Sequence, residues 1–180
     1  MFRTIHRYEE DGLGLPYPVV LYNAAQEEVD DETGKVIGIS IPNMEGLVAA
    51  VAILRAMIPV QLDGAEVRFI RQVIGKSSKQ FAEELNLDPA TLSRWENNKQ
   101  TVGEWADGQV RHAAVLLLSE RAPSMKVDIK DVWAMHPRKR QAGELWPEIE
   151  VVLEHVEDPC PEQPVTPEPD TSWQPMQRAA

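Results

Sequence analysis

Residue types that carry catalysis are present in this chain but are not grouped for it. His6, His112, His136 and His155 are scattered, with neither HExxH nor His/Cys spacing, so no metal site is expected. Cys160 lies between Pro159 and Pro161. No ordered base can be placed beside it, so it reads as an exposed thiol and not as a nucleophile. A single cysteine also excludes an internal disulfide and a Cys-rich zinc site. The carboxylates form no recognisable acid/base pair, and no phosphate-cradling glycine loop appears. We therefore expect no catalytic residue, no cofactor and no enzyme. What remains is non-covalent chemistry. His136-Pro137-Arg138-Lys139-Arg140 is a basic cluster, readable as an arm on DNA or as a solvated loop. A second polar set lies between Ser77 and Lys99.

The elements that position this second set have legible starts. Asp63 can cap a helix, with Glu66 three residues on. Ser77 can do so with Gln80, the capping-box pattern. Asp88 can cap a third helix, with Pro89 at the first helical position, where a missing N–H costs nothing. The spacing predicts helices near 63–74, 77–85 and 88–97, and a fourth over about 103–120. The two middle helices are short and nearly abut. Asn86 sits where the chain must turn sharply, and asparagine tolerates the left-handed conformation. Ala82 is small where the two helices should cross. Leu85, Leu87, Leu92 and Trp95 can share a core with Phe69, Ile70, Val73 and Phe81. A rigid helix pair joined in this way can hold its second helix in a DNA major groove.

The segments Ser77-Ser78-Lys79-Gln80-Phe81-Ala82, Leu85-Asn86-Leu87 and Thr91-Leu92-Ser93-Arg94-Trp95-Glu96-Asn97 resemble the Xre-type (phage-repressor-like) helix-turn-helix family. Leu62 to Arg71, with Ile39-Ser40-Ile41-Pro42 and Glu45-Gly46-Leu47, is similar to the MqsA-type (YgiT-type) antitoxins and their regulatory relatives, here without the paired zinc cysteines. Asn86 and Asn98 stand where those families carry glycine, and Ser78 where they carry glutamine. The resemblance implies that the exposed start of the third helix, with Pro89, Ala90, Thr91, Ser93 and Arg94, contacts bases. Arg94 leads, because its fork can bond a guanine edge twice; Ala90 or Thr91 can meet a thymine methyl. Ser77, Ser78, Lys79, Asn97 and Lys99 would hold phosphates and fix the register.

The expected fold class is mainly α: a four- or five-helix helix-turn-helix domain behind a small antiparallel β region, ahead of a partly disordered tail. Residues 1–42 read as short strands at Phe2 to Tyr8, Pro18 to Tyr22 and Val36 to Ile41, divided by turn signals. Residues 43–121 read as the helical domain, with the helix-turn-helix at 77–97. Its first helix is capped by Asn43 and stopped by Pro59. Residues 122–157 read as irregular, with a short helix or turn at Val127 to Met135 and a strand at Glu148 to Val156 that could join the N-terminal sheet. Residues 158–180 are dense in proline and acid and read as disordered.

The formal charge is -11. It is not spread evenly: residues 59–121 sum to -1, and each flank to -5. Phosphate contact needs local positive charge, not a basic chain. No apolar run approaches the roughly 20 residues of a membrane helix, and the N-terminus is no signal peptide; a cytoplasmic protein is expected. The expected function is a repressor-like, sequence-specific regulator that binds double-stranded DNA as a homodimer on an inverted repeat. The alternative is an antitoxin or anti-activator that sequesters a protein partner, such as a toxin. Its basis is the strand-rich front, the acidic flanks and the Pro-rich tail.

Overall fold

The computed structural model describes residues 1–155 and 171–176. Among the described residues, five of the six helices begin where a side chain satisfies a free backbone N–H group; the helix that follows Gly103 has no side-chain cap. Asn43, in the left-handed region, opens α1 (Met44–Met57) and accepts from the Gly46 amide. Asp63 and Ser77 open α2 (Gly64–Ile74) and α3 (Ser78–Glu84), each through a complete capping box. Asp88, followed by Pro89, opens α4 (Pro89–Glu96). Then come α5 (Glu104–Leu118) and α6 (Ile129–Ala134). Where a helix or turn must reverse, Gly75, Asn86 and Asn98 take positive φ.

The strands form two sheets. β1 (Phe2–Thr4), β4 (Gln26–Val29) and β5 (Val36–Ser40) make an antiparallel sheet in the order β1-β4-β5. β2 (Arg7–Glu10), β3 (Val19–Tyr22), β6 (Glu150–His155) and β7 (Thr171–Pro175) make the other, in the order β2-β3-β6-β7. Within it, β3 runs parallel to β6, with Leu21 opposite Val151. The buried face of β3 packs with alanine-rich α1 in one apolar cluster, which continues through α2, α4 and α5. The first sheet is largely exposed and lies outside this cluster.

The mainly α expectation is thereby corrected to mixed α/β, with six helices and seven strands among the described residues. Three misreadings account for it. The stretch Phe2 to Tyr8, read as one strand, breaks after Thr4 into β1 and β2, which belong to different sheets. The polar Gln26-Glu27-Glu28 run carries no apolar alternation, yet it lies at the centre of the first sheet as β4, where ladder bonds on both sides outweigh propensity. The tail read as disordered contains β7, antiparallel to β6, with Leu153 opposite Trp173. Trp173 is 1% exposed and donates its Nε1–H to the Asn43 carbonyl at 2.9 Å. One buried tryptophan supplies the apolar area that the surrounding composition lacks. The remainder of the tail, 158–170 and 177–180, with Cys160, lies outside the described residues.

Candidate nucleic-acid interface

The turn between α3 and α4 is tied back to α3 by three backbone hydrogen bonds. Leu85 and Asn86 close onto Phe81 and Glu83, and the Leu87 amide reaches the Ala82 carbonyl at 2.8 Å. Phe81, Ala82, Leu92 and Trp95 point inward and are buried. The opposite side of the pair is polar and open. Pro89, Ala90, Ser93, Arg94, Asn97 and Lys99 are exposed on and after α4, with Thr91 half-buried. Ser77 and Lys79 are exposed at the start of α3, with Ser78 half-buried beside them. All ten residues singled out from the sequence thus belong to this one helix pair and its flanks, and none is in the core.

Their local bonds are light. Arg94 Nη2 donates to Thr91 Oγ1 at 3.1 Å and lies 3.8 Å from Asp88 Oδ2. The Asn97 amide donates to the Ser93 carbonyl at 2.7 Å. Lys79 is 4.0 Å from Glu83 across one exposed helical turn. Exposed pairs of this kind contribute about 0–1 kcal/mol, so a ligand can replace them at small cost.

The scaffold behind α4 is rigid, and here the sequence reading was incomplete. The Glu96 carboxylate is 8% exposed and takes both Arg71 Nε (2.6 Å) and Nη2 (3.1 Å). Arg71 also donates to the Lys76 carbonyl at 2.8 Å, and Arg68 donates to the Glu96 carbonyl. The first turn of α2 approaches the last turn of α4 so closely that a Cβ on Gly64 would lie 1.7 Å from the Trp95 carbonyl oxygen. Two helices are therefore held by a forked ion pair at one point and by backbone contact at another.

A second buried network fixes α2. Arg55 and Glu66, each 1% exposed, form a two-pronged pair at 2.5 and 2.8 Å. Tyr17 donates to the same carboxylate at 2.8 Å. Burial, with the Glu66 charge beside it, pushes the Tyr17 phenol far above its ordinary value. Burial disfavours the Arg55 charge, but Glu66 outweighs that and holds the guanidinium above its usual value. Arg111, paired with Asp107 at 2.9 Å, donates to the carbonyls of Ala56, Ile58 and Val60. These two arginines bind the α1–α2 connection. Glu66 was legible as a capping partner. Its second role was not, although an arginine inside the apolar run 47–58 and an Asp/Arg pair at i, i+4 inside α5 were available signals.

Among the described residues, no group of three His, Cys, Asp or Glu side chains could hold a metal ion, and no helix is long and apolar enough to cross a membrane. No family model, curated protein or solved structure matches this chain. The functional reading therefore rests on the site alone.

Proposed function

We propose that this protein is a sequence-specific DNA-binding regulator that reads a duplex with α4. The observation that carries this reading is the pairing of a polar, weakly bonded outer face on α4 with a rigidly clamped inner face. A recognition helix needs both. Its outer side chains must be free to exchange partners with base edges, and its axis must be fixed so that those contacts are selective. Arg94 is the residue for base readout, with Pro89, Ala90, Thr91 and Ser93 around it. Ser77, Ser78, Lys79, Asn97 and Lys99 serve the phosphates on either side.

One helix reads only a few base pairs, so the regulator acts as a homodimer on two half-sites about one helical turn apart. The dimer surface is drawn from α5 and α6, where Trp105, Leu116, Leu117 and Trp133 are exposed. An exposed apolar set of this kind on a folded chain is a candidate contact surface. Selection from a randomised duplex pool tests the reading, with wild type and Arg94→Ala in parallel. Wild type should enrich an inverted repeat. Arg94→Ala should relax one position in each half-site, a loss of about 1–3 kcal/mol of discrimination. Enrichment of nothing by wild type refutes the reading.

A second reading, sequestration of a protein partner, has one observation in its favour. Among the described residues, the β1-β4-β5 sheet ends on two unpaired edges, β1 and β5, and exposes Phe2, Ile37 and Ile39. An open edge beside apolar side chains can accept a strand from another protein. Retention of a partner by the full chain, lost on substitution of Ile37 and Ile39 by serine, would establish it.

A further inference from the structure

A cleft of about 660 Å³ opens beside the C-terminal end of α4. One wall is the segment that follows this helix, Asn98 to Val102; the facing wall is the loop from Lys139 to Pro147. Its floor is the α1–α2 connection, with Leu62, Asp63 and Gly64. Three cations line it: Lys99 from the first wall, Lys139 and Arg140 from the second. Arg55 also borders it but is committed to Glu66. Among the described residues the one carboxylate on the lining is Asp63, which accepts from the Glu66 amide at 2.9 Å as the cap of α2. In a chain of formal charge -11, this concentration of cations is against the average.

The loop is not loosely attached. Arg138 forms an isolated bridge with Val60, its amide donating to the Pro59 carbonyl (3.1 Å) and its carbonyl accepting from Gln61 (2.8 Å). The Gln61 side chain in turn donates to the Val102 carbonyl at 2.5 Å, on the opposite wall. The Arg138 guanidinium closes the loop on Glu144 through Nη1 and Nη2, at 2.9 and 2.5 Å. Arg138 is thereby occupied, whereas Lys99, Lys139 and Arg140 are exposed and enter no ion pair within 4 Å among the described residues. Arg140 lies 3.5 Å from the Trp146 ring centroid, and the same indole meets Tyr17 at 5.3 Å between ring centroids. The cation is thus held over the indole; its Nη1 also donates to the Glu144 carbonyl at 3.4 Å, and among the described residues it has no carboxylate within 4 Å.

We propose that Lys139 and Arg140, with Lys99, form a second phosphate-binding patch, and that the duplex read by α4 runs across this cleft with its flanking backbone against them. This rests on the DNA-binding reading above and extends the contact surface to a loop about 40 residues beyond α4 in sequence. A recognition helix seated in the groove brings the backbone bordering that groove to the segment after the helix, where Lys99 lies. Lys139 and Arg140 stand across the same cleft, so that backbone meets three cations instead of one. Contacts to phosphate position the protein and carry no base preference.

The test is the salt dependence of duplex binding. Full-length protein is titrated into a selected site and into an unrelated duplex of equal length, from 50 to 200 mM salt, a range over which phosphate contacts are resolved. Lys139→Gln/Arg140→Gln is compared with wild type and with Lys139→Arg/Arg140→Lys. Each phosphate contact contributes about 0.9 to the slope of log K against log salt. The glutamine variant should lose roughly 1.8 from that slope, two contacts at that value each, and weaken by the same factor on both duplexes. The charge-preserving variant should keep the wild-type slope. An unchanged slope in the glutamine variant, with wild type still binding its site, overturns the patch and leaves α4 as the reader. If wild type binds neither duplex, both the patch and the DNA-binding reading fall.

Discussion

At the scale of single residues, the polar groups of this chain divide by what they would lose on exposure to water. Arg94, Ser93 and Lys99 lose little, which is why they are available to a ligand. Glu66 has no such freedom. It accepts from Arg55, from Tyr17 and from the Asp63 amide, and it is 1% exposed. Glu66→Ala leaves the Arg55 guanidinium buried and unpaired, and should cost about 3–5 kcal/mol in urea unfolding. A loss below about 1 kcal/mol would mean that water replaces the carboxylate. The same cluster governs alkaline behaviour. The folded Tyr17 phenol titrates well above its ordinary 10.0. Its stabilising contribution is complete below pH 10 and falls as pH rises beyond it, because the unfolded chain then releases a proton that the folded chain retains. Absorbance at 295 nm should register no more than two of the three tyrosines ionising before the protein unfolds. Neither role was visible from sequence spacing, since the three partners are brought together from β-region, α1 and α2.

At the scale of elements, the parts written in local chemistry were legible, whereas of the long-range pairing the sequence pointed to the strand over 148–156 joining the N-terminal sheet, as β6 does beside β3, and not to β4, β7 or the ion-pair forks. Helix starts at Asp63, Ser77 and Asp88, and turns at Asn86 and Asn98, follow from side chains acting on their own neighbourhood. The Glu96–Arg71 fork joins residues 25 apart, and no periodicity reports it. Gly64 tests the clamp directly. An alanine there places a methyl group on the Trp95 carbonyl, so α2 and α4 must separate. Gly64→Ala should lower stability and abolish site selection together, whereas Arg94→Ala should affect selection only. Preserved selection by Gly64→Ala would show that the close approach is dispensable. The loop over 138–144 offers a separate check. Hydrogen bonding from Arg138, then from the Gln141 amide, draws the Glu144 carboxyl from 4.5 to about 2. Its contribution is present above pH 4.5 and is lost as pH falls from there towards 2. An NMR titration of Glu144 with a midpoint near the ordinary carboxylate value would contradict the Arg138 lock.

At the scale of the whole molecule, β7 joins the C-terminal part of the chain to the helix that opens the core. Trp173 packs with the apolar cluster, and its indole N–H bonds the carbonyl of Asn43, the residue that caps α1. α1 packs on both α2 and α5. The described part of the tail, β7, is thereby coupled to α4 through α1 and the clamped α2. That geometry separates two quantities that a local view would join. Trp173→Ala removes a large buried side chain and should cost about 3–5 kcal/mol, read as a lower urea midpoint. It leaves the outer face of α4, the Glu96–Arg71 fork and the Gly64 contact untouched. At a temperature where the variant remains folded, it should enrich the same duplex sites as wild type, with the same salt slope. A changed site preference in Trp173→Ala would mean that strain in α1 reaches α4, and that the clamp between α2 and α4 is softer than its two contacts imply.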